Sequence, residues 1–278
     1  MKSKRIFAMA AAACMAVTGL TSMAASAAST TSSVTISYNQ STRKMTVSGK
    51  GTVTKQAVDQ ALKAYKLDKV VHVMSLDIKN GITAIGDRAF EGFNSLCYIN
   101  FSGDMKSIGA YAFAGAGVET IELPYTLSVV GNYAFKNCTV LKDVVINSKI
   151  SSWGISVLSG DKIATVYGPK TSAGVSFTNA QACAASEGRK FKSHLYGDAN
   201  CDGVVNSNDA TLILNFIANP SGYGIDGTKA GHMTKEGMLF ADVCSTDGAG
   251  RRDGVTASDA LTISKYVDRM IGSLPVKN

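Results

Sequence analysis

Histidine and tryptophan are almost absent from this chain: 278 residues hold three of the first, His72, His194 and His232, and one of the second, Trp153. The histidines lie far apart in sequence and no CxxC or Cys/His spacing accompanies them, so the patterns of a zinc site are missing. Each is read as surface or structural, and the lone Trp153 as packing rather than a platform for sugar rings. No GxSxG elbow and no phosphate-cradling glycine loop occurs. The acids Glu91, Glu119, Glu122 and Asp143 are scattered. Nothing selects two of them to stand the roughly 5–10 Å apart that glycoside hydrolysis requires. The catalytic set is therefore read as none. The net charge of +7 is modest and spread along the chain. No basic stripe interleaved with aromatics is present, which argues against nucleic acid as a partner. Past the N-terminus no apolar run reaches the roughly 18 residues of a membrane span.

The first residues carry the pattern of a processing segment. Lys2, Lys4 and Arg5 form a basic start, Ile6 to Leu20 an apolar stretch, and Ala25-Ser-Ala27 a small-residue cleavage site. Residues 1–27 are expected to be a signal peptide, and the protein to be secreted. Cleavage would lower the charge to +4 and leave Cys97, Cys138, Cys183, Cys201 and Cys244. An odd number does not describe a fully paired disulfide framework. Buried thiols are expected for the first three, with a Cys201–Cys244 bridge as the lesser alternative.

What the chain has in place of catalytic motifs is oxygen chemistry at a metal-loop spacing. Gly197 to Asp209 reads GDANCDGVVNSND. With Asp198 as position 1, Asn200 stands at 3, Asp202 at 5, Gly203 at 6, Val204 at 7, Asn206 at 9 and Asp209 at 12. A hard dication takes six to eight oxygens, and alternate side chains plus the position-7 carbonyl supply them in a twelve-residue calcium loop. Gly203 permits the sharp turn, and Val205 is expected to pack beneath the loop. Ala210 to Ala218 then reads as a helix that stops at Asn219-Pro220, whereas Phe191 to Gly197 is too short to be an entering helix.

A second copy runs from Asp242 through Asp253-Gly-Val-Thr-Ala-Ser-Asp259 into Ala260 to Val267, so DATLILNFI and DALTISKYV are one repeat. Counted back from Asp259, Val255 matches Val205 and Thr256 matches Asn206, but Asp253 falls on the glycine position. Asp242, Asp253 and Asp259 are candidate ligands, with Asp247 a fourth, in an irregular and weaker second calcium site.

Between these regions lies a repeat of a different kind. Ile85-Gly-Asp-Arg-Ala-Phe90 recurs as Ile108-Gly-Ala-Tyr-Ala-Phe113 and Val130-Gly-Asn-Tyr-Ala-Phe135, at spacings of 23 and 22 residues. Apolar ladders flank the copies: Val73, Leu76, Ile78; Leu96, Ile99, Phe101; Val118, Ile121, Leu123; Leu141, Val144, Ile146. A period of 20–29 residues with an LxxLxL strand is the mark of a leucine-rich solenoid, in which each coil buries its apolar edge against its neighbours. One strand plus a short return is expected per coil, with the Ala-Phe pair on the return side and glycine letting the chain turn. Upstream, Val34 to Tyr38 and Lys44 to Ser48 read as strands. Thr54 to Tyr65 reads as an amphipathic helix with Val58, Leu62 and Tyr65 on one face. Together they suggest an N-terminal cap.

Over roughly residues 70–192 the repeats resemble the bacterial surface-protein class of leucine-rich repeats, with its IGxxAF motif. Val166 to Ser172, a helical Ala173 to Ser186 and Arg189 to Lys192 are similar to that class's closing coil. Residues 197–278 resemble a type I-like dockerin, the calcium-folded module of cellulosome components, here of the divergent kind found in cellulolytic gut bacteria. The expected fold is thus α+β and multidomain: a signal peptide (1–27), a cap (28–69), a solenoid (70–192) and a small all-α unit of two calcium-loop/helix repeats (193–278).

The dockerin resemblance implies calcium at both loops and a scaffoldin cohesin as partner. Contact would come through Ser207, Asn208, Leu214 and Asn215 in one copy, and Ala257, Ser258, Ser264, Lys265 and Arg269 in the other. It implies a secreted, non-catalytic cellulosome component whose solenoid presents its strand face to a protein or glycan. The alternatives are a glycan-degrading hydrolase, or a surface adhesin that the calcium unit tethers.

Overall fold

The computed structural model describes residues 25–26, 33–68, 72–160, 165–169, 180–244, 254–272 and 274. Apart from Ala25–Ser26, the expected signal peptide lies outside these residues, as do Asp247, Asp253 and residues 173–179 of the expected closing helix.

The chain opens on the backbone of β1 (Ala25–Ser26), antiparallel to β2 (Val34–Asn39), which forms an antiparallel hairpin with β3 (Lys44–Gly49). β4 (Gly51–Val53) leads into α1 (Lys55–Ala64), whose N-cap Thr54 accepts the Ala57 N–H at 3.2 Å. Val58, Ala61 and Leu62 make the buried face of α1 and join the solenoid core. The cap is thus the first coil, because β3 pairs in parallel with β5 (Ser75–Ile78) and β4 with β6 (Ile82–Ile85).

Each following coil repeats two strands and a return. β7 (Tyr98–Asn100) with β8 (Ser107–Ile108), β9 (Thr120–Leu123) with β10 (Val129–Val130), and β11 (Asp143–Ile146) with β12 (Ser152–Trp153) are three of them. β13 (Thr165–Pro169), α2 (Ala180–Ser186) and β14 (Lys190–His194) close the stack. Parallel pairing gives one sheet of order β12-β10-β8-β6-β4 and another of order β14-β13-β11-β9, while β1-β2-β3-β5-β7 makes the third. Two strands per coil, rather than the expected one, follow from buried apolar residues on both sides of each bend, Leu76 and Ile78 before it and Ile82 and Ile85 after it in the first case.

The Ala-Phe pairs are the return side of the core, as expected. Ala89, Phe90, Ala112, Phe113, Ala134 and Phe135 are all buried, and the three phenyl rings stack in register at 5.4 and 5.5 Å. The glycine ahead of each pair has a different reason from the expected turn. A Cβ on Gly131 would lie 2.5 Å from the Ala110 nitrogen of the preceding coil, and on Gly154 2.5 Å from that of Asn132. Close stacking of coils demands the glycine, and the left-handed residue comes two positions later, at Arg88, Tyr111, Tyr133 and Ser156.

Ser156 belongs to a fourth copy, Trp153-Gly-Ile-Ser-Val-Leu158, aligned by the pairing of Val130 with Trp153. Its Val-Leu replaces Ala-Phe, which hid it from motif reading. Where a further return would follow, Glu187 takes its place: its carboxylate accepts N–H groups from Val157 (2.8 Å), Leu158 (3.2 Å) and the Trp153 indole (3.2 Å). The indole also packs on the core, so Trp153 is a structural residue.

The C-terminal region is helical: α3 (Ser207–Ala218), α4 (Pro220–Tyr223), α5 (Lys235–Ala241) and α6 (Ala257–Val267). Among the described residues no helix is long and apolar enough to cross a membrane.

Candidate metal loops and their seat on the solenoid

Gly197 to Asp209 wraps as the spacing predicts. The Asp198 carboxylate accepts N–H groups from Asp202 (3.1 Å) and Gly203 (2.9 Å). Asn200 Oδ1 accepts from Asp202, and Asp202 Oδ1 from Val204, both at 2.9 Å. Cys201 (φ 60) and Gly203 (φ 88) take the left-handed conformations that fold the loop back on itself. Asp209 closes the loop as the N3 residue of a capping box, accepting the Asn206 N–H at 2.8 Å and the Asn200 N–H at 3.1 Å. Asp209 is fully buried and Asp198 is 8% exposed. Burial pushes both carboxyl groups above their ordinary range, against the N–H bonds that lower them.

The second loop repeats this at half its points. Asp242 accepts the Gly254 N–H at 2.9 Å, as Asp198 accepts that of Gly203, and Gly254 is left-handed (φ 96). Asp259, fully buried, accepts from Thr256 (2.8 Å), Val243 (2.8 Å) and Cys244 (3.0 Å). Its register therefore differs from the count back from Asp259: Gly254, not Asp253, holds the glycine position. Val255 and Thr256 do match Val205 and Asn206, so the residue matching Val204 is the one deleted. Cys244 stands where the first loop has Asn200, and burial raises its thiol pKa to about 11. A protonated thiol is a poor ligand for a hard cation. Asp247 and Asp253 lie outside the described residues.

Among the described residues no three His, Cys, Asp and Glu groups converge as a metal cluster. The first loop's donor set is of another composition: three carboxylates, two Asn amide oxygens and one carbonyl. Its fit to a hard cation rests on Asp198 and Asp209, which are ionisable, buried and pushed toward neutrality by burial. A dication would replace the solvation they lose. The second set fits less well, with a thiol at its third position.

Of the expected contact residues, Ser207, Asn208, Leu214, Ala257, Lys265 and Arg269 are exposed, and Asn215, Ser258 and Ser264 are half-buried. α3 and α6 pack through Leu212, Ile213, Ala260 and Ile263 and leave these positions outward. Sequence reading missed Ile217 (41% exposed), Leu261 (56%), Val267 (37%) and Met270 (70%), apolar residues left outside the helix pair. Ile217 lies three residues after Leu214 and Leu261 four before Lys265, the helical spacing that could have found those two.

The C-terminal unit rests on the solenoid's outer strand face, which sequence gave no sign of. Val145 points outward from β11 yet is fully buried, and Tyr167 beside it on β13 is 6% exposed. Both belong to the apolar cluster of Tyr196, Ala199, Leu212, Ile213 and Phe240. His194, 5% exposed, stacks on Phe240 at 3.9 Å. Lys235 reaches Glu119 (2.7 Å) and Asp143 (3.5 Å), Lys192 reaches Glu236 (2.6 Å), and the Tyr196 hydroxyl donates to Glu122 (3.1 Å). Hydrogen bonding from Lys235 lowers the Glu119 pKa, ahead of the opposing effect of burial. The acids Glu119, Glu122 and Asp143 are thus engaged in this contact, and Glu91 pairs with Arg88 at 2.9 Å.

One expectation changes here. The strand face over β9, β11, β13 and β14 is occupied by the chain itself, not open to a ligand. β14, the last strand of that sheet, pairs with β13 as far as His194. No disulfide joins any of the five cysteines described; Cys138 and Cys183 are buried, while Cys97 is exposed, against expectation.

A solenoid of leucine-rich coils with a duplicated loop-helix unit on its outer face is the class of architecture that these observations define. Residues 61–183 match the BspA-type leucine-rich repeat region in six copies, so the solenoid is built of BspA-type repeats. A xylanase/beta-glucanase of Ruminococcus flavefaciens is 46% identical over 80 residues, 29% of this chain and 9% of that protein. The chain thus corresponds to under a tenth of that relative's length. One chain of a structure titled as the third ScaB cohesin of R. flavefaciens in complex with a group 1 dockerin is also similar. It is 42% identical, covering 30% of this chain and 99% of that one, with a TM-score of 0.27. A leucine-rich-repeat protein from Eubacterium ventriosum is 19% identical, covering 49% of this chain and 36% of that one, with a TM-score of 0.42.

Proposed function

We propose that this protein is a secreted, non-catalytic component of a polysaccharide-degrading assembly, whose calcium-loaded C-terminal unit acts as a dockerin and binds a cohesin. The observation that carries the reading is the duplicated loop-helix hydrogen-bond pattern. In each copy the first acid accepts the turn glycine's N–H, and the last acid, buried, caps the exit helix. Asp198, Asn200, Asp202, Val204, Asn206 and Asp209 would hold one calcium ion. Asp242 and Asp259 would hold a weaker second, with Asp247 and Asp253 as further ligands. When bound, calcium supplies the positive charge that lets the buried carboxylates ionise, and the loops in turn fix the starts of α3 and α6.

The docking face is the outward side of those helices, Ser207, Asn208, Leu214 and Asn215 against Ala257, Ser258, Ser264, Lys265 and Arg269. Leu214 corresponds to Ser264 and Asn215 to Lys265, so the copies present different surfaces and one docking orientation is expected. The stretch shared with a protein named xylanase/beta-glucanase supports the polysaccharide setting. The solenoid would display the strand face over β2, β3, β5 and β7, where Tyr98 is 51% exposed, to a protein or glycan.

The test is titration of the full chain with a panel of cohesins, in calcium and in chelator. Calcium-dependent binding that is lost in Asp198→Ala is the expected result. Calcium binding without any cohesin binding would refute the docking role.

A further inference from the structure

α5 touches three partners at once. Its first residues hold the solenoid, through Lys235 with Glu119 at 2.7 Å and Glu236 with Lys192 at 2.6 Å. Its backbone holds the first loop. Gly237 lies so close to the Ala199 carbonyl that a Cβ there would stand 2.1 Å from its oxygen, and the Phe240 carbonyl accepts the Gly197 N–H at 2.9 Å. Gly197 and Ala199 flank Asp198, the loop's first acid. The residue that ends α5, Asp242, is the first acid of the second loop.

We propose that α5 is a strut that couples cation binding in the loops to the seating of the C-terminal unit on the outer face of the solenoid. This rests on the calcium reading above and goes beyond it. Calcium orders the backbone at Gly197–Ala199, against which α5 packs, and α5 presents Lys235, Glu236 and Phe240 to the strand face. Reciprocity follows from linkage: if calcium favours the seat, the seat favours calcium by the same factor. The loops of the full chain therefore bind calcium more tightly than those of a chain whose seat is broken.

The seat is broken from the far side by Val145→Asp. Val145 faces away from the solenoid core, supplies no oxygen ligand to either loop, and is buried in the apolar cluster of the C-terminal unit. An aspartate there would bury a charge beside Glu122, its neighbour in register. Calorimetric calcium titration of the full chain is expected to show Kd raised about fivefold or more, the lower end of ordinary couplings. Lys235→Glu, at a half-exposed position on the other side, is expected to act in the same direction and serves if Val145→Asp does not fold. A Kd within about twofold of the unsubstituted chain in the folded variants overturns the coupling while leaving calcium binding standing. Absence of calcium binding by the unsubstituted chain overturns both readings.

Discussion

Replacing Asp209 separates what its carboxylate does for the fold from what it does for the cation. Both oxygens accept backbone N–H groups, from Asn206 and Asn200, at a site without solvent exposure. In Asp209→Ala both donors lose a partner, and the cost in chelator is about 2–6 kcal/mol, the sum of two orphaned donors. Asp209→Asn keeps an acceptor oxygen and removes a charge that burial already disfavours. In chelator it leaves one of the two N–H groups facing an amide NH2 and should cost about 1–3 kcal/mol.

In calcium the order of effects changes. A ligand present at 100-fold over its Kd stabilises by about 2.7 kcal/mol, and Asp209→Asn should forfeit most of that. The pH dependence follows the same logic. The folded-state pKa values of Asp198 and Asp209 are raised, so in chelator stability is greatest below the unfolded carboxylate pKa and falls as pH rises through the folded value. Calcium should abolish that fall. Urea unfolding of both variants, with calcium and with chelator, reads all of this. An Asp209→Asn chain that is as strongly stabilised by calcium as the unsubstituted one would refute the reasoning.

Glu187 closes the solenoid by standing in for a missing return, so Glu187→Ala should lower stability by about 3 kcal/mol and Glu187→Gln by less, since charge-assisted bonds to three N–H groups are at stake; a change under about 0.5 kcal/mol in the urea transition would show that the end cap lies elsewhere. The ion pair of Lys235 with Glu119 should strengthen the seat only while Glu119 is ionised. Its lowered folded pKa places that contribution above the ordinary value of 4.5 and removes it as pH falls through the folded value. Lys235→Met should therefore flatten the acid limb of the unfolding midpoint below about pH 4.5; an unchanged limb would count against the pair.

Periodic features were readable from residue types alone, because each states a local requirement. The stacked phenylalanines, the buried ladders and the cap strands follow from patterns that any 20–29-residue coil must satisfy. The first loop likewise announces its turn through alternate Asp and Asn residues around one glycine. Asp198, Asn200, Asp202 and Asp209 appear in the structure in the order that the spacing predicts.

The second loop shows where spacing runs out. The loss of the residue matching Val204, between Gly254 and Val255, moves the turn away from the register counted from Asp259, and only the hydrogen bond from Gly254 to Asp242 identifies the residue that turns. The fourth solenoid copy was hidden for a related reason, since volume and backbone conformation, not the letters Ala-Phe, are what its coil conserves. The seat of the C-terminal unit had no local signature. Val145 reads as one more strand residue, and Lys235 lies 116 residues from Glu119. Contacts between elements so distant depend on where a rigid stack of coils places its outer face, which no window of sequence contains.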